Sequence, residues 1–213
     1  TILFDKPPFK NVVVNGMVLA EDGKKMSKRL KNYPDPTDVI DRHGADALRL
    51  YMIDSPVIRA EELRFSENGV KDIVRRVILK WWNAYTFYDS YARIDKYESK
   101  GNSLESAAKS KNILDRWILS RLQSLATNIE TEMSAYHLYN VVPELLRFIE
   151  DLTNTYIRLN RSRFWDEGFT EDKKSAFDTL HAVLLSLTKM MAPFTPFLAD
   201  KIYLLMTKEK AKE

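Results

Sequence analysis

Apolar side chains recur every three or four residues along most of this chain, a spacing that places them on one face of an α-helix. The clearest stripe contains Val70, Ile73, Val74, Val77, Ile78, Trp81, Ala84, Tyr85 and Tyr88. The same spacing predicts further helices over residues 114–133, 137–165, 172–191 and 195–206. Glycine, which disfavours helices, occurs six times in 213 residues. We therefore expect a mainly α protein, built as an antiparallel bundle of four or five helices.

The first third of the chain follows a different pattern. Two short β-prone runs between residues 11 and 19 surround Asn15-Gly16, and both of these residues tolerate the positive φ of a tight turn. The pattern predicts a β-hairpin there. Pro34 and Pro36 then stop regular structure, which leaves the preceding basic stretch in a loop. We expect this part to form a small α/β unit ahead of the bundle.

Several kinds of site are disfavoured by composition. The chain has no cysteine, which excludes a disulfide framework, a Cys-based zinc site and a cysteine nucleophile. His43, His137 and His181 are far apart in sequence, so structural roles are favoured over a metal site or a catalytic triad. No apolar run approaches the roughly 20 residues that span a bilayer, and no signal peptide opens the chain. We predict a cytoplasmic protein with no metal site and no membrane contact.

The sharpest local feature is a basic loop, residues 24–31, in which five of eight side chains are Lys or Arg. Lys25 and Lys28 follow a flexible turn at Gly23 and could close over a polyphosphate, where they would offset charge on the transferred group. The stretch is not a Walker A loop, because Val18 stands where that motif has its first glycine. A solvated basic surface loop or a nucleic-acid patch is the alternative.

A second candidate site lies on the helix predicted over residues 137–165. At about 100° per residue, the core stripe of this helix consists of Leu145, Phe148, Ile149, Leu152, Tyr156 and Leu159. The opposite side carries Asn154, Arg158, Arg161 and Trp165, which we call the arginine face. Guanidinium groups bind phosphates and stack on bases, and an indole offers a stacking plane, so this face is suited to RNA. The alternative is a solvated helix face on which Trp165 covers a neighbouring helix end.

Two further groups have plainer interpretations. Trp81 lies on the core stripe of its helix and only Trp82 points aside, so core packing is predicted rather than stacking on a nucleic acid. Asp38, Asp41 and Asp46 have the chemistry of Mg²⁺ ligands, but they are predicted to stabilise helix N-termini, where anions are favoured.

Residues 23–29 read Gly-Lys-Lys-Met-Ser-Lys-Arg and resemble the KMSKS signature of class I aminoacyl-tRNA synthetases. Later blocks follow in that family's order, namely Asn32 with Asp35-Pro36, Gly44 to Arg49, Asp115 to Ile118, Tyr156 to Arg158 with Arg161, Arg163 and Trp165, and Ala192 to Phe197. The last three resemble landmarks of the anticodon-binding domain in the isoleucine, valine and leucine branch. Within that branch, residues 28–36 are similar to the isoleucyl subfamily of eukaryotic or archaeal type, whereas the valyl subfamily has Ser-Leu-Gly-Asn after the second lysine.

The resemblance covers most of the chain and implies three regions. Residues 1–34 would be the C-terminal end of a Rossmann catalytic domain with its KMSKS loop, residues 35–65 the connecting, stem-contact helices, and residues 66–213 a class Ia anticodon-binding helical bundle. The family also needs a His-Ile-Gly-His type motif, and no His-x-Gly-His occurs in this sequence. Because the amino-acid pocket and the editing domain precede this segment in the family, and Thr1 is not a natural start, we expect a fragment that is not catalytic alone.

The resemblance also implies roles for single residues. Lys28 would be the principal ATP contact and Lys25 would assist it, which makes these two the candidate catalytic residues. Met26 and Ser27 would shape the loop, and Arg29 stands where the general signature has Ser, as in the isoleucyl subfamily. ATP would come with Mg²⁺ held mostly by its phosphates. The arginine face would bind tRNA.

These inferences predict part of a ligase that activates isoleucine with ATP and transfers it to tRNA(Ile). The expected partners are ATP, isoleucine, tRNA(Ile) and other synthetases in a complex, with the isoleucine pocket outside this segment. Three alternatives stay open. They are a valyl or leucyl counterpart, a non-catalytic RNA-binding module descended from a synthetase, and a helical scaffold whose basic loop keeps it in solution.

Overall fold

A computed structural model of the protein describes residues 3–99 and 103–207. The helices in these ranges are α1 (Pro36–His43), α2 (Ala45–Ile53), α3 (Glu67–Ile73), α4 (Leu79–Ile94), α5 (Ser103–Ala107), α6 (Ile113–Ser134), α7 (Leu138–Glu150), α8 (Arg158–Trp165), α9 (Glu171–Met191) and α10 (Pro196–Thr207). Two π-helical segments, π1 (Val74–Ile78) and π2 (Asp151–Ile157), join α3 to α4 and α7 to α8 without a break. A short 3₁₀ turn spans Pro56–Arg59. The predicted mainly α class is confirmed.

The long helices pack as a bundle around one core. Arg121 of α6 pairs with Asp151 at 3.0 Å, and Asp115 at the start of α6 pairs with Arg163 of α8 at 2.7 Å, so α6 runs antiparallel to the rod α7–π2–α8. The largest fully buried side chains are Trp81, Tyr156, Phe148, Phe164, Phe177 and Phe194. Trp81 therefore packs in the core, as its position on the apolar stripe predicts.

Helix ends follow from local side-chain chemistry. Asn112 and Thr170 accept hydrogen bonds from the backbone N–H groups of Leu114 (2.9 Å) and Lys173 (3.1 Å), which are among the groups that a helix start leaves unpaired. Gly44 separates α1 from α2 with a φ of +85°, a conformation that favours glycine. These three boundaries are thus set by residues within one turn of the helix end.

The hairpin predicted over residues 11–19 is wrong. Strand β1 (Val18–Leu19) pairs with strand β2 (Leu63–Arg64), and the two strands are parallel, with Val18 opposite Leu63 and Leu19 opposite Arg64. The valines at positions 12–14 are exposed and belong to no strand. The small sheet therefore joins two segments that are far apart in sequence, a pairing that no local turn signal can indicate.

Gly16 does not form the tight turn of a hairpin but lies against a second backbone segment. Its N–H donates to the carbonyl oxygen of Val57 at 2.7 Å. A Cβ at this position would lie 1.7 Å from the carbonyl oxygen of Glu61, so the backbone of this second segment leaves no room for a side chain. The Asn-Gly pair permits a close approach of two backbones rather than a reversal of one.

The N-terminal unit is fastened to the bundle by α2. The buried carboxylate of Asp46 accepts backbone N–H groups at the start of α10, from Phe197 at 3.3 Å and Leu198 at 2.7 Å. Arg49, one turn later on α2, donates to the carbonyl oxygen of Pro193 at 3.1 Å. Asp46 therefore does stabilise a helix N-terminus, but that of α10, about 150 residues away in sequence.

Candidate functional site

The basic loop begins at a tight turn that connects it to β1. The Gly23 N–H donates to the carbonyl oxygen of Ala20 at 2.8 Å, and the Ala20 N–H donates to that of Lys24 at 2.9 Å. Gly23 adopts a φ of +80°, as its position in the turn requires. A single antiparallel bridge between Leu19 and Lys25 closes the turn. The turn thus presents residues 24–31 at the end of the small sheet.

The side chains of the basic loop differ in their exposure to solvent. Lys25, Lys28 and Arg29 are exposed, whereas Met26 and Ser27 between them are half-buried. Among residues 3–99 and 103–207, no carboxylate forms an ion pair with these three cations. The loop therefore offers three unpaired positive charges to solvent, as a site for a polyanion needs.

Asn32 is part of this loop's structure although the charge pattern did not single it out. Its Oδ1 accepts the Ser27 N–H at 2.9 Å, and its Nδ2 donates to the carbonyl oxygen of Lys25 at 3.2 Å. The carbonyl oxygen of Ser27 in turn accepts the N–H groups of Leu30 (3.2 Å) and Lys31 (3.0 Å). A short amide side chain directly after a loop is the sequence signal for such a contact, because asparagine readily bonds nearby backbone groups.

The arginine face is arranged on the bundle as predicted. Asn154 lies on π2 and Arg158, Arg161 and Trp165 lie on α8, all four exposed, with Trp165 at 56%. In the part of the chain that the structure describes, neither Arg158 nor Arg161 has a hydrogen-bond or ion-pair partner. The basic loop lies on the N-terminal unit, so the sequence-predicted residues form two separate sites.

Arg163, from the same turn of helix, has the opposite environment. Its Nη1 and Nη2 donate to the two carboxylate oxygens of Asp115 at 2.7 and 3.0 Å, and its Nε donates to Asp172 at 2.8 Å. The Tyr156 hydroxyl also donates to Asp115, at 2.8 Å. Burial lowers the pKa of the Arg163 guanidinium, but its hydrogen bonds to Asp115 and Asp172 outweigh this and raise it. This arginine ties α6, α8 and α9 together and is not available to a ligand.

Burial also perturbs Tyr156. Loss of solvent raises the pKa of its hydroxyl, and the nearby carboxylate of Asp115 adds to that effect. The hydroxyl therefore stays protonated and donates to Asp115. Asp115 belongs to one block of the family resemblance and Tyr156 and Arg163 to the next, and the structure brings the two blocks together in one buried network.

Leu159, predicted in the core stripe, is 60% exposed, and that prediction is wrong. Asn160 takes the inward position and is 1% exposed. The reason is π2, in which hydrogen bonds join residues five apart, so that each residue turns the helix by less than about 100°. The side chains after π2 therefore point in directions different from those that a uniform α-helix predicts. The Asn160 amide donates to the Tyr156 carbonyl oxygen at 2.8 Å and accepts from Arg163 at 3.0 Å, which satisfies it inside the bundle.

None of the helices in the described ranges is both long and apolar enough to cross a membrane.

Two family models match the chain. The model described as "tRNA synthetases class I (I, L, M and V)" matches residues 1–64, and "Anticodon-binding domain of tRNA ligase" matches residues 115–213. The basic loop lies within the first match and the arginine face within the second.

The chain is similar to curated proteins named isoleucine–tRNA ligase. It is 63% identical over 203 residues to that of Bdellovibrio bacteriovorus, covering 95% of this chain and 19% of that protein. It is 54% identical over 206 residues to the cytoplasmic isoleucine–tRNA ligase of Mus musculus, covering 95% of this chain and 16% of that protein. The chain thus spans about a fifth of the length of the curated relatives it matches.

Solved structures of lower identity share the fold. A LeuRS–tRNA–LeuAMS ternary complex of Agrobacterium radiobacter K84 matches with a TM-score of 0.67 at 19% identity, over 90% of this chain and 22% of that chain. A methionyl-tRNA synthetase of Mycobacterium tuberculosis in complex with methionyl-adenylate matches with a TM-score of 0.68 at 17% identity, over 88% of this chain and 36% of that one.

Proposed function

We propose that this chain, which belongs to the class I tRNA synthetases, is the part of an isoleucine–tRNA ligase that carries the ATP-binding basic loop and the tRNA-binding bundle. The observation that carries the proposal is the identity of more than half of its residues to isoleucine–tRNA ligases along nearly the whole chain. The proposed boundaries are residues 1–34 for the end of the catalytic domain, 35–65 for the connecting helices and 66–213 for the bundle.

The proposed activity belongs to a longer protein. There, the isoleucine carboxylate attacks the α-phosphate of ATP to give the adenylate, and pyrophosphate leaves. A hydroxyl of the tRNA terminal adenosine then attacks the adenylate carbonyl and takes the acyl group, with AMP as the leaving group. We place the isoleucine pocket outside this segment and expect the segment to be inactive alone. The cytoplasmic location in the names of the eukaryotic relatives is extended to this chain as part of the proposal, and assembly with other synthetases is a further expectation.

The basic loop would act on the leaving pyrophosphate. Lys28 is the proposed principal contact and Lys25 the second, because flexible ammonium groups can follow phosphate oxygens as charge develops on them. Both lysine side chains are exposed and form no ion pair with a carboxylate in the described ranges, which supports this role. Met26, Ser27 and Arg29 complete the ATP contact region. The free side chains of the loop are cations, which repel Mg²⁺, so the metal would be held by the phosphates of ATP.

The arginine face would bind tRNA. Arg158 and Arg161 are exposed and unpaired among the described residues, so they keep their full capacity for phosphates, and Trp165 can stack on an unpaired base. Asn154, at the end of the same stripe, can hydrogen-bond a base edge or a phosphate. The contrast with Arg163, whose donors are bound to Asp115 and Asp172, supports a ligand-binding role for the first two arginines.

The proposal is tested with the full-length protein. ATP–pyrophosphate exchange is measured with isoleucine, valine and leucine, and exchange is expected with isoleucine. Exchange with none of them would favour the non-catalytic RNA-binding module, and preference for valine or leucine would reassign the substrate.

A double variant, Arg158→Ala with Arg161→Ala, tests the RNA face. It is expected to weaken tRNA binding and to reduce the magnitude of the log–log salt slope by about 1.5, while ATP–pyrophosphate exchange stays unchanged. The matched control is Arg93→Ala, which removes an exposed arginine paired with Asp89 elsewhere on the bundle. Equal effects of the two changes would contradict the assignment of the arginine face.

A further inference from the structure

We propose that Asn32 is a positioning residue of the basic loop, and that its side-chain amide holds the segment Lys25–Ser27 in the shape from which Lys28 reaches ATP. This inference rests on the proposed function of the loop. It assigns to Asn32 no contact with substrate, and it divides the loop into a fixed half and a movable half.

The fixed half is clamped from both sides of Met26. The amide of Asn32 accepts the N–H on one side, from Ser27 at 2.9 Å, and donates to the carbonyl on the other, of Lys25 at 3.2 Å. Asn32 is half-buried, and its bond to the Ser27 N–H is partly buried, so water competes for that bond less than it would at an exposed site, whereas the bond to Lys25 is exposed. One side chain thus sets the backbone conformation of three consecutive residues.

A second anchor lies beneath the same segment. Met26 lines a cavity of about 250 Å³ whose other walls include Val18, Val39 and Phe65, and the side chain packs against the hydrophobic core. With the Met26 side chain turned inward, Lys25 is left exposed on the outer side. The hydrogen bonds from Asn32 and the packing of Met26 in the apolar cavity therefore favour the same orientation of the loop.

The movable half follows Ser27. Lys28, Arg29 and Leu30 are exposed, and in the described part of the chain their side chains make no hydrogen bond or ion pair. This half is closed by a turn in which the Ser27 carbonyl oxygen accepts the N–H groups of Leu30 and Lys31. Lys31 has a φ of +47°, which costs a non-glycine residue free energy that a rearrangement of the turn would release. Lys28 can therefore move toward a phosphate by pivoting about Ser27 while Lys25 stays in place.

The matched experiment compares two variants of the full-length protein. Asn32→Ala removes both bonds of the clamp. Asp22→Ala removes one hydrogen bond of similar length, from the Lys24 N–H at 3.0 Å, together with an exposed ion pair to the Lys24 ammonium at 3.6 Å, in the turn just before the loop. The readouts are the ATP dependence of ATP–pyrophosphate exchange, the KM for isoleucine, the affinity for tRNA, and the rate at which trypsin cleaves after the lysines and the arginine of residues 24–31.

Asn32→Ala is expected to lower kcat/KM for ATP at least about tenfold, because each bond is worth a several-fold change in the population of the clamped loop. Trypsin cleavage within the loop is expected to become faster by a similar factor, since cleavage follows local opening. The KM for isoleucine and the tRNA affinity should not change, and Asp22→Ala should match the wild type. Asn32→Asp keeps the acceptor and loses the donor, so its trypsin rate is expected to lie between those of the wild type and Asn32→Ala.

Three results would overturn the inference. The first is isoleucine-dependent exchange that is insensitive to Asn32→Ala, and the second is an equal loss of ATP, isoleucine and tRNA functions, which would mark general damage. The third is a loop that trypsin cleaves no faster in Asn32→Ala than in Asp22→Ala. Absence of exchange in the wild type with every amino acid would instead refute the proposed function, and with it any role of Asn32 toward ATP.

Discussion

Arg163 and Arg158 lie on one helix, and replacing each by Met should have very different effects on stability. Asp115 is 0% exposed, and the Arg163 side chain that neutralises it is 10% exposed. Arg163→Met would leave the buried Asp115 carboxylate bonded to the neutral hydroxyls of Tyr156 and Ser110, without the cation that neutralises it. Breaking a buried ion pair in this way costs about 3–5 kcal/mol. The lost bond to Asp172 adds little, because that carboxylate is 59% exposed and water replaces the guanidinium.

The assay is urea denaturation of this 213-residue chain followed by the fluorescence of its four tryptophans, among which Trp81 is fully buried. Arg158→Met is the matched control, with an expected change within about 0.5 kcal/mol, since an exposed side chain without a partner contributes little. The double variant Arg163→Met with Asp115→Asn removes the stranded charge and should recover most of the loss.

The reasoning would be refuted if Arg163→Met and Arg158→Met destabilised the chain equally. It would also fail if the double variant were less stable than Arg163→Met, because the unpaired carboxylate would then not be the origin of the loss. The same titration gives the m-value of each variant, and an unchanged m-value shows that the variants differ in stability rather than in the surface exposed on unfolding.

Three further outcomes are expected. Lys28→Ala should slow ATP–pyrophosphate exchange about a hundredfold without changing the KM for isoleucine, whereas Lys24→Ala should have little effect; equal losses with ATP and isoleucine would exclude a specific phosphate contact. Asp46→Ala should cost about 1–2 kcal/mol in urea denaturation, because the start of α10 loses its carboxylate; no change would mean that water caps α10 equally well. Burial lowers the pKa of His181 below its ordinary 6.5, against the weaker opposite effect of Asp178. As the pH falls, this histidine therefore takes up a proton in the unfolded chain before it does so in the folded chain, and the free energy of unfolding should decrease below about pH 6.5. The decrease should be smaller in His181→Asn.

Much of the fold was accessible from spacing alone. The helical period predicted the burial of Trp81 on α4, most of the core stripe on the rod α7–π2–α8, and the exposure of Asn154, Arg158, Arg161 and Trp165. The basic loop was equally visible, because charge and turn residues are properties of neighbouring positions. These features depend on interactions within a few residues, which the sequence encodes directly.

Pairings between distant segments were not accessible in this way. The partner of β1 is β2, some 45 residues later, and the partner of Asp46 is the start of α10, so the turn and capping signals near each residue pointed to the wrong neighbour. Three arginines within six residues also look alike in sequence. Only the position of Asp115 on another helix separates Arg163, which is bound inside the bundle, from Arg158 and Arg161, which face solvent.

Leu159 and Asn160 show where the local rules stop applying. A uniform α-helix places Leu159 inside, but π2 adds residues to the turn before it and brings Asn160 inside instead. The local pattern therefore specifies the helices, the loop and their chemistry. Which side chains meet across helices, and which of them remain free for a ligand, depends on long-range packing and on the hydrogen bonds that buried polar groups must find.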